Sequence, residues 1–243
     1  MGIYSKILKY KKEKKKLFSV LIDPDKQSEK TLIDTIKHVN KAKVDLLLIG
    51  GSLLKKDCLE QSILTIKENS KIPLLLFPGN TMQLSNKADG ILLLSLISGR
   101  NPEMLIGNHV IAAPFLKKSN LEVLSTGYML IESGKITSAS YMSNTVPIPY
   151  DKNDIAVSTA TAGEMLGLKM IYMDAGSGAK NSIDNEMIRA VSESINIPLI
   201  IGGGIKSAKQ VKEKFEAGAD IIVVGNCLEG NLSLVNNISE ITK

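Results

Sequence analysis

The chain has 243 residues, 44% of them apolar and 4% aromatic, with no tryptophan and a net charge of +5. That length suits a single α/β barrel, for which roughly 250 residues are typical. The positive charge is nearly all lysine, with arginine at Arg100 and Arg189 alone. Lysine without arginine or aromatic platforms argues against nucleic acid as a partner. It suits anionic small molecules, and at most a transient contact with an anionic membrane surface. Cys58 and Cys227 lie far apart without metal-ligand spacing, so a reducing cytoplasm is the expectation. No leader pattern and no apolar run near the roughly 20 residues of a membrane span is visible.

In chain order, the lysine-rich stretch Lys11-Lys12-Glu13-Lys14-Lys15-Lys16 reads as a solvated face before the first strand. Eight short apolar runs follow: Leu17–Ile22, Val44–Ile49, Pro73–Phe77, Gly90–Leu94, one within Leu121–Ile131, Lys169–Met173, Pro198–Ile201 and Asp220–Val224. Runs such as Leu46-Leu47-Leu48-Ile49 do not alternate, which marks strands buried on both faces of a parallel sheet. Helices are predicted between most of them. Ser28–Asn40 has apolar residues at Leu32, Ile33, Ile36 and Val39, with Ser28 as N-cap. Cys58–Ile66, Pro102–Ile111, Ile155–Leu166, Asn185–Ile195 and Ser207–Ala217 complete the set. The gap Gly79–Lys87 is too short for a normal helix, so the third helix is expected as a loop.

Alternating strands and helices allow a closed (β/α)8 barrel or an open doubly wound sheet. Asp23, Ser52, Asn80, Arg100, Asp174, Gly203 and Gly225 each fall just after a strand. Function spread over many strand ends belongs to a barrel, whereas an open sheet would carry a glycine fingerprint after its first strand. That first strand ends in Ile22-Asp23-Pro24-Asp25-Lys26, without glycine. The expectation is therefore one TIM barrel domain spanning residues 1–243, with a reduced or replaced third helix.

The most informative motif is Tyr172-Met173-Asp174-Ala175-Gly176-Ser177-Gly178. A strand ending in a carboxylate and a glycine-serine-glycine turn lets backbone N–H groups approach an anion while the acid orients or deprotonates a hydroxyl. Gly202-Gly203-Gly204 and Gly225-Asn226 fall after strands seven and eight, where barrels bind phosphate. Asp23-Pro24-Asp25-Lys26 reads as a cation or diphosphate site, with Ser52 approaching from the next strand end, or as an Asx-type turn. His38 and His109 lie in helical segments and read as structural. Leu92–Ile97, with Tyr128, Tyr141, Val146, Pro147 and Ile148, reads either as ordinary core or as an apolar channel for a hydrocarbon chain.

These motifs resemble the geranylgeranylglyceryl phosphate synthase family, which includes the bacterial heptaprenylglyceryl phosphate synthases. The resemblance spans nearly the whole chain. It rests on Leu21–Lys26, Gly50-Gly51-Ser52, Phe77-Pro78-Gly79, Ile97–Pro102, Tyr172–Ala179, the triple glycine and Gly225-Asn226. It implies a prenyltransferase joining sn-glycerol 1-phosphate to a polyprenyl diphosphate, with geranylgeranyl diphosphate the expected one, through an ether bond with Mg²⁺. By that resemblance Asp23 and Ser52 hold the metal, with Asp23 and Asp174 the catalytic acids. Tyr172, Met173, Asp174, Ala175, Gly176, Ser177, Gly178, Gly203, Gly204, Gly225 and Asn226 bind glycerol phosphate. Lys26, Arg100 and Tyr128 are the candidates to face the diphosphate or prenyl chain, and a homo-oligomer is expected, with Tyr141 as a candidate interface aromatic. The family motif carries Glu where this chain has Asp174. The residues alone also allow an isomerase or lyase acting on a phosphorylated sugar, or a non-catalytic phosphoglycerol-binding barrel.

Overall fold

The computed structural model describes residues 2–225 and 233–241. Eight parallel strands close into a barrel in sequence order. They are β1 (Leu17–Ile22), β2 (Leu46–Ile49), β3 (Leu74–Leu76), β4 (Gly90–Leu96), β5 (Glu122–Leu130), β6 (Met170–Asp174), β7 (Leu199–Gly202) and β8 (Ile221–Val224). β1 closes the ring by pairing with both β2 and β8. All eight expected runs are strands.

Strand alternation splits the apolar residues into two layers. Leu46, Leu48, Leu75, Leu92, Leu124, Met170, Tyr172, Ile200, Ile221 and Val223 fill the barrel interior. Leu47, Ile49, Leu74, Leu76, Ile91, Ile171, Met173, Ile201 and Ile222 point outward and pack under the helices. Both faces are therefore buried, which is why the runs do not alternate in hydropathy.

The helical ring contains α2 (Glu29–Lys41), α3 (Leu59–Asn69), α4 (Asn108–Lys118), α5 (Ser138–Ser143), α6 (Asn153–Met165), α7 (Asn185–Ser194), α8 (Ala208–Glu216) and α9 (Ser233–Ile241). Ser28 caps α2, and Thr31 returns the bond in a capping box. α4 is led by a π-helical turn over Glu103–Gly107 and runs past Pro114, beyond the expected end at Ile111. Between β3 and β4 the third helix is absent, as expected, and the chain passes through turns instead. Buried Gln83 in that loop holds the end of β2. Its Oε1 accepts from Gly51 N–H (3.2 Å) and its Nε2 donates to Gly51 O (2.8 Å).

Helix α1 (Ile3–Lys12) was not expected. Ile3, Tyr4, Ile7 and Tyr10 recur at helical spacing and pack against the barrel's inner cluster. The helix has no side-chain cap of its own. The Glu122 carboxylate replaces it, accepting from the N–H groups of Ile3 (2.5 Å) and Tyr4 (2.9 Å). The lysine-rich stretch is not wholly solvated either. Lys11 pairs with Asp220 at 2.7 Å and Lys16 donates to Ala219 O at 2.6 Å, so α1 plugs the amino end of the barrel. The carboxyl end stays open.

Candidate active site

At the carboxyl ends of the strands lies a cavity of about 800 Å³. It brings together Asp23, Lys26 and Ser52 from one side with Tyr128, Tyr172 and Asp174 from the other. Gly176, Ser177, Gly178, Gly203, Gly204 and Gly225 complete its wall. Not every expected residue faces it. Met173 and Ala175 occupy the outward positions of β6 and its extension, packed in the outer layer, because alternate residues of a strand face opposite sides. The backbone of Ala175 still contributes, donating to Gly202 O at 3.1 Å. Arg100 is exposed on the β4–α4 connection, away from the cavity, with Nη1 donating to its neighbour Gly99 O. Asn226 lies outside the described residues.

Asp174 ends β6 on the inward register and is 7% exposed. Tyr128 Oη donates to its Oδ2 at 2.5 Å, and Gly176 N–H donates to its Oδ1 at 2.7 Å. Burial pushes the Asp174 carboxyl above the usual range, and the two hydrogen bonds offset part of that rise. The Tyr128 and Tyr172 hydroxyls are held well above their ordinary value, first by burial and then by the negative charge of Asp174. Both phenols are therefore neutral near pH 7. Their rings form an aromatic wall with Phe77, which stacks on Tyr172 (5.2 Å between centroids) and meets Tyr128 edge-on (5.9 Å). Phe77 is the third member; the sequence marked it only within the Phe77-Pro78-Gly79 motif and gave it no role at the site.

The glycine turns are required by space as well as by backbone conformation. Gly203 has φ +80°, and a Cβ there would lie 2.6 Å from Asp174 Oδ1 and 2.6 Å from the backbone nitrogen of Gly176. Gly176 has φ +89°, and its Cβ would meet Thr137 Oγ1 at 2.7 Å. The two turns thus interlock over β6 and β7 and leave N–H groups near the cavity, a concavity suited to an oxyanion. The segment Lys135 to Ala139 packs along this side, and Ser138 and Ala139 line the cavity. It belongs to a long connection whose irregular sequence gave no periodic signal.

Across the cavity, Asp23 makes the Asx-type turn that its sequence allowed. Its Oδ1 accepts from Asp25 N–H (3.1 Å), an Asx-type turn capping the 3₁₀ turn Pro24–Lys26. Its Oδ2 lies 3.3 Å from Lys26 Nζ. Among the described residues no cluster of three or more His, Cys, Asp or Glu side chains could enclose a metal. One carboxylate and the Ser52 hydroxyl are hard oxygen donors on one wall. They fit a cation such as Mg²⁺ that keeps water and takes substrate oxygens. Asp25 is occupied otherwise: it accepts from Lys55 N–H (2.6 Å) and Lys56 N–H (3.1 Å). These bonds hold its carboxyl below the usual range.

The oily stretch divides. Leu92 and Leu96 are buried, while Leu93 and Leu94 line a small apolar recess with Pro78, Gly79, Met104 and His109, beneath the loop that replaces the third helix. Gly79 packs against the backbone of Gly51 and Ser52, so the recess adjoins the cavity wall. Tyr141 and Val146 are exposed, and Ile148 is buried beside Ile131, so none of these three lines the cavity. His109 is half-buried against Ser95 and His38 turns to Asp34 O, in keeping with structural roles. Cys58 is a free thiol, and Cys227 lies outside the described residues. No described helix is long and apolar enough to cross a membrane.

The PcrB family profile matches residues 8–243. The geranylgeranylglyceryl phosphate synthase of Chitinophaga pinensis is 49% identical over 238 residues, 98% of this chain and 94% of the relative. The synthase of the same name from Spirosoma linguale is 48% identical over 234 residues, 96% and 94% of the two chains. Among solved structures, (S)-3-O-geranylgeranylglyceryl phosphate synthase from Thermoplasma acidophilum, in complex with substrate sn-glycerol-1-phosphate, matches with a TM-score of 0.94. That match has 28% identity and covers 100% of this chain and 99% of the other.

Proposed function

The chain belongs to the PcrB family, and from that premise we propose that it is a prenyltransferase joining sn-glycerol 1-phosphate to a polyprenyl diphosphate through an ether bond. The observation that carries this reading is the single cavity shared by Asp174, the interlocked glycine turns and Asp23, walled by Phe77, Tyr128 and Tyr172. The sequence relatives are geranylgeranylglyceryl phosphate synthases, and we take the prenyl group as geranylgeranyl.

Backbone N–H groups of Gly178, Gly203 and Gly204 in the two glycine turns hold the phosphate of glycerol phosphate. They thereby fix which hydroxyl points along β6 toward Asp174. Asp174 orients the free primary hydroxyl and takes its proton, and a carboxyl raised by burial is a better base than an exposed one. Tyr128 and Gly176 hold the carboxylate still while leaving lone pairs for that hydroxyl. The new bond joins the hydroxyl oxygen to C1 of the prenyl chain, and diphosphate leaves with the electron pair of the allylic C–O bond. Asp23 and Ser52 would hold Mg²⁺, which when bound supplies positive charge to the departing diphosphate. The aromatic wall receives the first isoprene units, and the recess at Leu93 and Leu94 offers apolar surface beyond it.

The test is incubation with labelled sn-glycerol 1-phosphate, prenyl diphosphates of several lengths and Mg²⁺. Ether-linked product supports the proposal; binding without product, or turnover of a phosphorylated sugar instead, overturns it. We also read the protein as a homo-oligomer. The exposed Val110 and Ile111 of α4 give apolar surface suited to a partner copy, and light scattering of the purified protein decides the point.

A further inference from the structure

A diphosphate needs fixed cations, and the residues first considered for that role supply few. Arg100 lies off the cavity. Lys26 Nζ is 3.3 Å from Asp23 Oδ2, so its charge is partly spent on that carboxylate. Lys55 and Lys56, by contrast, are exposed residues that line the cavity on the side of Asp23 and Ser52, apart from the glycine turns. They lie in the β2–α3 connection, which has no regular structure between Ile49 and Leu59. A segment of that kind takes a defined position only if something outside it accepts its N–H groups.

Asp25 does so. Its Oδ2 accepts from Lys55 N–H at 2.6 Å and its Oδ1 from Lys56 N–H at 3.1 Å. Cys58 Sγ also donates to Oδ1 at 3.7 Å. Each carboxylate oxygen thus takes one of two successive N–H groups, and Asp25 faces the neighbouring loop. Asparagine cannot copy this, because its single oxygen accepts one N–H and its NH₂ opposes the other.

We infer that Asp25 is a positioning residue that latches the Lys55-Lys56 turn to the cavity rim, where the two ammonium groups receive the diphosphate end of the lipid substrate. This rests on the prenyltransferase reading and adds to it a site for the leaving group, separate from the glycine turns that hold glycerol phosphate. The latch acts on one substrate and leaves the other alone.

The test uses the full chain with three variants: Asp25→Asn, Asp25→Ala, and Lys55→Ala combined with Lys56→Ala. Steady-state KM is measured for each substrate, and glycerol 1-phosphate affinity separately by calorimetry. The expected result is a rise of about tenfold in KM for prenyl diphosphate in all three, the size of losing a charge-assisted contact, with glycerol 1-phosphate affinity held within about twofold. A merely structural role for Asp25 would move both substrates together. Equal losses for both, or an unchanged prenyl diphosphate KM in the double lysine variant, overturn the inference. If the unaltered protein forms no ether product, the prenyltransferase reading fails, and binding of inorganic diphosphate with Mg²⁺ decides the latch by itself. Weaker binding in all three variants supports it, and unchanged binding refutes it.

Discussion

Replacing Asp174 with Asn should make the protein more stable and nearly inactive. The buried carboxylate is costly in its charged form, and that cost is why its pKa is raised. Asn keeps the local bonding. Its oxygen accepts from Gly176 N–H, and its NH₂ donates to Tyr128 Oη, which as a hydroxyl can also accept. Removing the buried charge should stabilise by on the order of 1 kcal/mol, which in a chain of this size raises Tm by about 2–4 °C. The pH dependence has a definite sign. A carboxyl with a raised folded pKa contributes its stability in full below its unfolded value of 3.8 and loses it as pH rises through the folded value. Asn does not titrate, so the Tm gap between variant and parent should be smallest in acid and widen above pH 3.8. Turnover should fall by about 10²–10⁴-fold, the range for loss of a general base. Calorimetric melts across pH and a labelled-product assay at saturating substrate read the two effects. A variant that melts lower at neutral pH, or keeps activity within about tenfold, would refute the reasoning.

Asp23→Asn retains an oxygen to accept from Asp25 N–H, so the turn should survive. Mg²⁺-stimulated turnover should vanish while calorimetric binding of glycerol 1-phosphate persists, and loss of both would mark Asp23 as structural. Gly203→Ala forces a side chain into φ +80° with its Cβ 2.6 Å from Asp174 Oδ1. It should destabilise by about 1–3 kcal/mol and weaken glycerol 1-phosphate binding, and a melt and titration matching the parent would contradict that. Glu122→Ala removes the acceptor for the first N–H groups of α1. The expected loss is about 0.5–2 kcal/mol with kcat intact, read by thermal melts beside the activity assay.

The barrel was legible because its strands are buried on two faces. Leu46–Ile49 can be little else than an interior strand, and Ser28 followed by Leu32 and Ile36 announces a capped helix. α1 was hidden because seven lysines from residue 6 to residue 16 obscure the spacing of Ile3, Ile7 and Tyr10. Its packing partners, the barrel's amino end and Glu122, lie far away in sequence. Within the site, the carboxylates and glycines were visible as residue types at strand ends. Which of them face inward was not, since a motif read as a unit includes Met173 and Ala175 although strand alternation turns both away. Arg100 was weighted for its charge and position after β4, whereas the basic residues at the cavity rim include Lys55 and Lys56, several residues beyond the end of β2.

The three rim carboxylates are sorted by what their oxygens already do. Each spends at least one oxygen on the backbone of a neighbouring turn: Asp23 on Asp25 N–H, Asp25 on Lys55 and Lys56, Asp174 on Gly176. What remains differs. Asp25 uses both oxygens on backbone and is left with positioning. Asp23 keeps Oδ2 in a partly exposed setting beside Lys26, where a hydrated cation can approach. Asp174 keeps Oδ2 in a buried one, braced by a neutral phenol, where the cost of its charge raises its basicity toward a bound hydroxyl. On the proposed reading one residue type fills three roles in one cavity, and the difference lies in burial and in which backbone N–H groups each carboxylate meets.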